Sequence, residues 1–129
     1  MRAKMINKEI ENAVSKKRET IAIDFDGVIH SYKQRWTGDV PEDPPMEGVE
    51  EALKSLKEKG WRLVILSTRK VPYIKDWLVK YNLDQYIDDI TNQKIPAKIY
   101  IDDRGYRFKD WDSTIEFLKD FGIGKRGLK

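Results

Sequence analysis

Apolar positions along the chain follow two periods. In the first, short aliphatic or β-branched blocks stand almost unbroken: Thr20-Ile21-Ala22-Ile23-Asp24-Phe25, Trp61 to Leu66, and Ile99-Tyr100-Ile101. Blocks of this length and composition read as buried strands of a parallel sheet, and Tyr86 to Thr91 as a shorter, weaker one. In the second, apolar residues recur every three or four positions. Ile6, Ile10, Ala13 and Val14 predict an amphipathic helix over 3–18, with Lys16-Lys17-Arg18 suited to its C-terminal end. Val49, Leu53 and Leu56 predict a helix stopped near Gly60. Val71 to Lys80 predicts another with Pro72 in its first turn. A last helix, capped by Asp112 or Ser113, runs through Leu118 and Phe121 to Gly122.

Strands alternating with helices imply βαβ units with right-handed crossovers, hence an α/β fold: a three-layer, Rossmann-like arrangement of a mostly parallel central sheet with helices on both faces. A length of 129 residues suits one domain. No repeat, linker or low-complexity stretch divides it, so 1–129 is read as one unit. Residues 29–46 collect Ser31, Gly38, Pro41, Pro44 and Pro45, which predicts a flap-like loop in which Tyr32 to Trp36 could form a small hairpin. No apolar run approaches the ~20 residues of a membrane span, and no signal-like stretch opens the chain. The expected setting is cytoplasmic, without a membrane partner.

Composition then narrows the chemistry. The absence of cysteine excludes disulfides and thiolate metal sites, and a single histidine, His30, excludes a histidine-cluster metal site. Twenty-five Lys and Arg against 22 Asp and Glu give a net charge of +3. That mildly favours anionic partners such as phosphorylated substrates or nucleic acid.

In parallel sheets ligands bind at the carboxyl ends of the strands, and there this chain repeatedly places acids. Asp24 and Asp26 leave the first strand on the same side, with Gly27 permitting a sharp exit. Ser67 closes the second strand, and Asp102 and Asp103 close the last. Four carboxylates at one edge repel one another unless protonated or offset by a cation. Oxygen-only ligands of this kind suit Mg²⁺, which keeps several waters and takes a carboxylate or two plus a substrate phosphate. Ser67 could donate to that phosphate, and Lys94 or Lys98 could complete its neutralisation. These parts amount to a phosphoryl-transfer centre.

Ile23-Asp24-Phe25-Asp26-Gly27-Val28 resembles the first motif of the haloacid dehalogenase superfamily. Val64-Ile65-Leu66-Ser67 resembles its second motif, Lys94 in Asn92-Gln93-Lys94-Ile95-Pro96 its third, and Tyr100-Ile101-Asp102-Asp103 its acidic fourth. The resemblance spans residues 21–103. It implies a magnesium-dependent phosphatase in which Asp24 attacks phosphorus to give an aspartyl-phosphate, while Asp26 protonates the leaving oxygen and then helps activate water. Asp24, the backbone carbonyl of Asp26, and Asp102 would hold the metal. Asp103 would orient the metal's water or back its ligands, and the division of roles between the two neighbouring acids stays open. Ser67, the backbone around Thr68, and Lys94 in preference to Lys98, would hold the phosphate. The intervals 29–46 and 70–93 are too short for a large cap domain, so the resemblance points to the capless subgroup. An open site suits a macromolecular substrate, such as a nucleic-acid end or phosphoprotein, or a small one enclosed by a second copy of the chain.

Blander uses stand beside these. Each acid could alone be a helix cap or a solvated turn; four ordered motifs at strand ends are harder to dismiss. Arg69 could bind a substrate anion or pair with a surface carboxylate. His30 reads as a flap residue without a role, and Trp61, Trp77 and Trp111 as packing aromatics. Tyr32, Arg35 and Trp36 could meet substrate or merely pack on the flap. A receiver-type phosphoacceptor also uses Mg²⁺, acids, Ser or Thr, and Lys, but it carries its acidic pair on the first strand and its phosphorylated Asp later. A non-catalytic nucleic-acid-binding module has only the mild basicity in its favour.

Overall fold

The structure, a computed structural model, describes residues 19–93, 95–102 and 107–120. The helix predicted over 3–18, Lys94 and Asp103 lie outside them. Among the described residues four strands form one sheet: β1 (Thr20–Asp24), β2 (Arg62–Leu66), β3 (Asp89–Thr91) and β4 (Ile99–Ile101). Their order is β3-β2-β1-β4, and every pairing is parallel. Among the described residues three helices accompany them: α1 (Val49–Glu58), α2 (Val71–Lys80) and α3 (Trp111–Asp120). The α/β architecture expected from the alternating periods is the one observed.

The strand period explains the packing. Ile21 and Ile23 of β1, Leu63 and Ile65 of β2, and Ile99 and Ile101 of β4 join Leu53, Leu56, Ile74, Trp77, Leu78, Trp111 and Leu118 from the helices in one apolar cluster. Ala22 and Val64, on the opposite face by strand alternation, are buried too, so neither face at the centre of the sheet is open to water. Removing such side chains costs about 2–5 kcal/mol each for Leu or Ile to Ala, which makes this cluster the main support of the strand ends.

Two boundaries differ from expectation. The third strand was expected from Tyr86, but a 3₁₀ turn occupies Asp84–Tyr86 and β3 begins at Asp89. Asp88, just before it, turns its carboxylate to the β2 amide of Leu63 (2.7 Å) and to Lys57 Nζ (2.6 Å), a side-chain contact that delays the ladder. The last helix is capped by Asp110, whose Oδ1 accepts the Ser113 amide at 2.7 Å, rather than by Asp112 or Ser113. The earlier start lets Trp111 enter the core and donate its indole N–H to the Val28 carbonyl at 3.1 Å. No described helix is long and apolar enough to cross a membrane.

Hydrogen bonds from Ser113, backbone first, hold the Asp110 carboxyl below its ordinary value of 3.8, and those from Gln34 do the same for Asp43. A carboxyl depressed in the folded state contributes stability that is present above its unfolded value and lost as pH falls through its folded one. The contribution of these two carboxylates to the urea midpoint should therefore be constant from neutral pH down to about pH 5 and fall below it. In Asp110→Ala the midpoint at neutral pH should be lower and the acid drop shallower; an unchanged acid profile would remove this carboxylate from the account.

Candidate active site

At the carboxyl edge the pairing register sets the site. Asp24 ends β1 opposite Leu66 of β2, so Ser67 follows one residue beyond; Ile23 lies opposite Ile101 of β4, so Asp102 comes level with Asp24. Three polar side chains thus stand on adjacent strand ends, all half-buried. Asp24 Oδ1 accepts the Phe25 amide at 2.9 Å. The Ser67 amide donates to the Thr91 carbonyl of β3 at 3.0 Å, and its Oγ accepts the Arg69 amide at 3.2 Å. Thr68, between them, is exposed.

Beyond Asp24 the chain leaves the sheet through a tight turn. The Phe25 carbonyl accepts the amides of Val28, Ile29 and His30 at 2.9–3.2 Å, and the Gly27 amide donates to the His30 carbonyl at 2.8 Å. Gly27 has a φ of 82°, yet a Cβ there would touch nothing within 4 Å, so glycine is required for backbone conformation and not for space. This turn brings the His30 ring back to Asp26, with Nδ1 2.8 Å from Oδ1.

From the other side comes Arg69, two residues past Ser67. Its Nε donates to both Asp26 oxygens, at 3.0 and 3.1 Å, while Nη1 donates to the carbonyls of Gly38 (2.7 Å) and Asp39 (2.9 Å) in the flap. The guanidinium carbon lies 4.5 Å from the centre of the Trp36 ring, a cation–π contact. Only 2% of Arg69 is exposed, whereas Trp36 is 57% exposed. Burial pushes the Asp26 carboxyl up, but hydrogen bonds from His30 and Arg69 and the charge of Arg69 outweigh it and leave its pKa below the ordinary 3.8.

The flap is closed at its base. Ile29 and Ser31 pair with Met46 and Pro44 through Met46 N–H to Ile29 O (2.7 Å) and Ser31 N–H to Pro44 O (2.9 Å). No hairpin forms over Tyr32 to Trp36; Tyr32 and Arg35 instead have φ of 59° and 63°, turning the chain sharply between them. Trp77 of α2 donates its indole N–H to the Asp43 carbonyl at 2.8 Å, so the flap is tied to the core as well as to Arg69.

Of the residues predicted for the site, Asp24, Ser67 and Asp102 share one edge, with Asp26 and Thr68 in the loops just above it. Asp103 and Lys94 are not among the described residues. Lys98 lies at the opposite end of the sheet: its amide donates to the Thr20 carbonyl at the start of β1, and its Nζ is 3.1 Å from Glu19 Oε2. Two residues were undervalued by the sequence reading. Arg69 was left between a substrate anion and a surface carboxylate, and its partner is the buried-side Asp26; His30 was given no role. Their signals were faint: an arginine two positions after the strand-ending Ser67, and a chain's single histidine four positions after an acid.

The donor set is all oxygen. Among the described residues no three acids or histidines gather closely enough to enclose a metal by themselves. The Asp26 side chain is bound by His30 and Arg69, and the carboxylates of Asp24 and Asp102 stand on adjacent strand ends. Such a pair fits a hard divalent cation that retains much of its own water.

An acid pair leaving the first strand of a parallel sheet, with a hydroxyl and a further acid on its flanking strands, makes a carboxylate-rich site at the carboxyl edge of an α/β fold. The family model for haloacid dehalogenase-like hydrolases matches residues 2–95, and the chain belongs to that family. Its fold is similar to that of a conserved protein from Bacteroides thetaiotaomicron, with a TM-score of 0.61 and 24% identity over 80% of this chain and 91% of that one. No curated protein matches.

The Asp26–Arg69 pair yields a test of the geometry. Arg69→Lys can supply one point charge but not the fork that reaches two carboxylate oxygens and two flap carbonyls. It should lower stability by about 1.5–3 kcal/mol, the range for hydrogen bonds to charged groups, in urea denaturation. Wild-type stability in this variant would show that the fork is not needed.

Proposed function

We propose that this hydrolase is a phosphatase that cleaves phosphomonoesters by way of an aspartyl-phosphate on Asp24. The observation that carries the reading is the pairing of two unlike carboxylates at one strand exit. Asp24 sits at the strand end beside Ser67 and Asp102; Asp26, two residues on, is anchored sideways by His30 and Arg69. Different surroundings for neighbouring acids are how one site divides nucleophile from acid/base.

In this reading Asp24 attacks phosphorus and the leaving oxygen departs with a proton from Asp26. Asp26, then a carboxylate, takes a proton from the water that hydrolyses the acyl phosphate. His30 and Arg69 favour that carboxylate form. Ser67 donates its hydroxyl to a phosphate oxygen, and the Thr68 backbone beside it lines the same pocket. Arg69 retains a buried Nη2 with no acceptor among the described residues. Lys94 is the remaining candidate for the phosphate-neutralising lysine, since Lys98 stands at the far end of the sheet. Asp24, the Asp26 carbonyl and Asp102, with Asp103 in support, would hold Mg²⁺, which would offset charge on the phosphate and on Asp24 when bound. The substrate class is a phosphorylated small molecule or a macromolecular end, met at a site beside which, among the described residues, the short flap stands.

Phosphate release from a panel of sugar phosphates, nucleotides, oligonucleotide ends and phosphopeptides, with Mg²⁺ or with EDTA, tests this. Turnover should need both the metal and Asp24. Asp24→Asn should abolish it while leaving the thermal transition in place, and Asp26→Asn should slow it about 10²–10⁴-fold. Substantial Mg²⁺-dependent turnover by Asp24→Asn would remove Asp24 as the nucleophile. Stoichiometric phosphorylation without release would instead support a receiver-like phosphoacceptor.

A further inference from the structure

His30 is the chain's single histidine and only 1% exposed. Both ring nitrogens are engaged. Nε2 lies 3.0 Å from the Asp43 backbone amide, a group that can only donate, so Nε2 must accept and the ring hydrogen resides on Nδ1. Nδ1–H then donates to Asp26 Oδ1 at 2.8 Å. The ring plane is fixed by stacking on Phe25 at 5.3 Å and by the edge-on Trp77 at 5.6 Å. Asp43 is itself held, through its carboxylate, by the Gln34 amide (2.9 Å) and side chain (2.8 Å), and through its carbonyl by Trp77. A continuous chain of hydrogen bonds therefore runs from the flap through the imidazole to the carboxylate beside the nucleophile.

We infer that His30 is a positioning residue for Asp26, its Nδ1–H aiming the carboxylate and its Nε2 letting the flap's Asp43 amide set the ring. A histidine used only to fill space has no need of a defined tautomer, and phenylalanine would pack as well against Phe25 and Trp77. Arg69 alone grips both Asp26 oxygens through one N–H, a hinge about which the carboxylate can still swing. The donor from His30 on Oδ1 supplies the second fixed point. The inference deepens the phosphatase reading and rests on it.

Two variants and two esters separate the possibilities. His30→Asn places an N–H close to where Nδ1–H stands but loses ring packing; His30→Phe keeps an aromatic ring and loses both the donor to Asp26 and the acceptor of the Asp43 amide. Because kcat/KM reports steps through leaving-group expulsion, only esters that need a proton from Asp26 should feel its misplacement. His30→Phe should lower kcat/KM for an alkyl phosphate by at least about tenfold more than for p-nitrophenyl phosphate, whose leaving group needs little protonation. His30→Asn should recover much of that difference. Equal losses on both esters, or a more active Phe variant than Asn variant, would overturn the inference. The ring can also be read without substrate, since one histidine gives one unambiguous set of imidazole ¹⁵N signals. A protonated Nδ1 and bare Nε2 is the expected pattern, and the opposite tautomer would refute the geometry. Wild-type protein silent toward both esters would refute the phosphatase reading and this inference with it; the ¹⁵N pattern would show whether the His30 geometry had failed as well.

Discussion

Parallel strands that deliver several acids to one edge create a like-charge problem before they create a catalyst. Each carboxylate raises the cost of ionising the next, and a half-buried position magnifies the repulsion. Here Arg69 meets that constraint. It rises from the loop after β2, spends its Nε–H on both oxygens of Asp26, and turns Nη1 to the flap carbonyls of Gly38 and Asp39. One buried cation thereby gives Asp26 surroundings unlike those of Asp24, is joined to Ser67 in the loop after β2, and gives the flap its inner support. With Asp26 turned aside, the carboxylates of Asp24 and Asp102 stand on adjacent strand ends at the same edge.

A small domain has few residues with which to hold loops, and this one uses its tryptophans for the purpose. Trp111 packs in the core and reaches the Val28 carbonyl in the turn after Asp26; Trp77 packs against Phe25 and His30 and reaches the Asp43 carbonyl in the flap. Each contributes apolar area and one hydrogen bond to a loop that carries the site. The flap is thus continuous with the core through its base, through Trp77 and through Arg69. On its outer surface Trp36 and Arg35 are exposed.

Much of this was legible in the sequence because it depends on local pattern. The aliphatic blocks at 20–24, 62–66 and 99–101 are strands because nothing polar interrupts them, and Asp24, Ser67 and Asp102 fall at their ends by simple adjacency. What could not be read depends on how distant segments meet. Arg69 finds Asp26 across 43 positions, and Trp111 finds Val28 across 83. His30 acquires its partner only because Gly27 adopts a left-handed conformation that folds the chain back on itself. The third strand's late start and the Asp110 cap have the same cause: single carboxylates, of Asp88 and Asp110, capture backbone amides that hydrophobic periodicity alone cannot assign.

The central claim is that Asp24, and no other carboxylate of this crowded edge, carries the phosphoryl group. Its most direct test is to quench the protein in acid during turnover, reduce with borohydride, and sequence the peptides by mass spectrometry. An acyl phosphate on an aspartate is reduced to homoserine, whereas an untouched carboxylate is not. Homoserine at position 24, dependent on substrate, is the predicted result. Turnover with no reducible residue, or with the label on Asp26 or Asp102, would contradict the account.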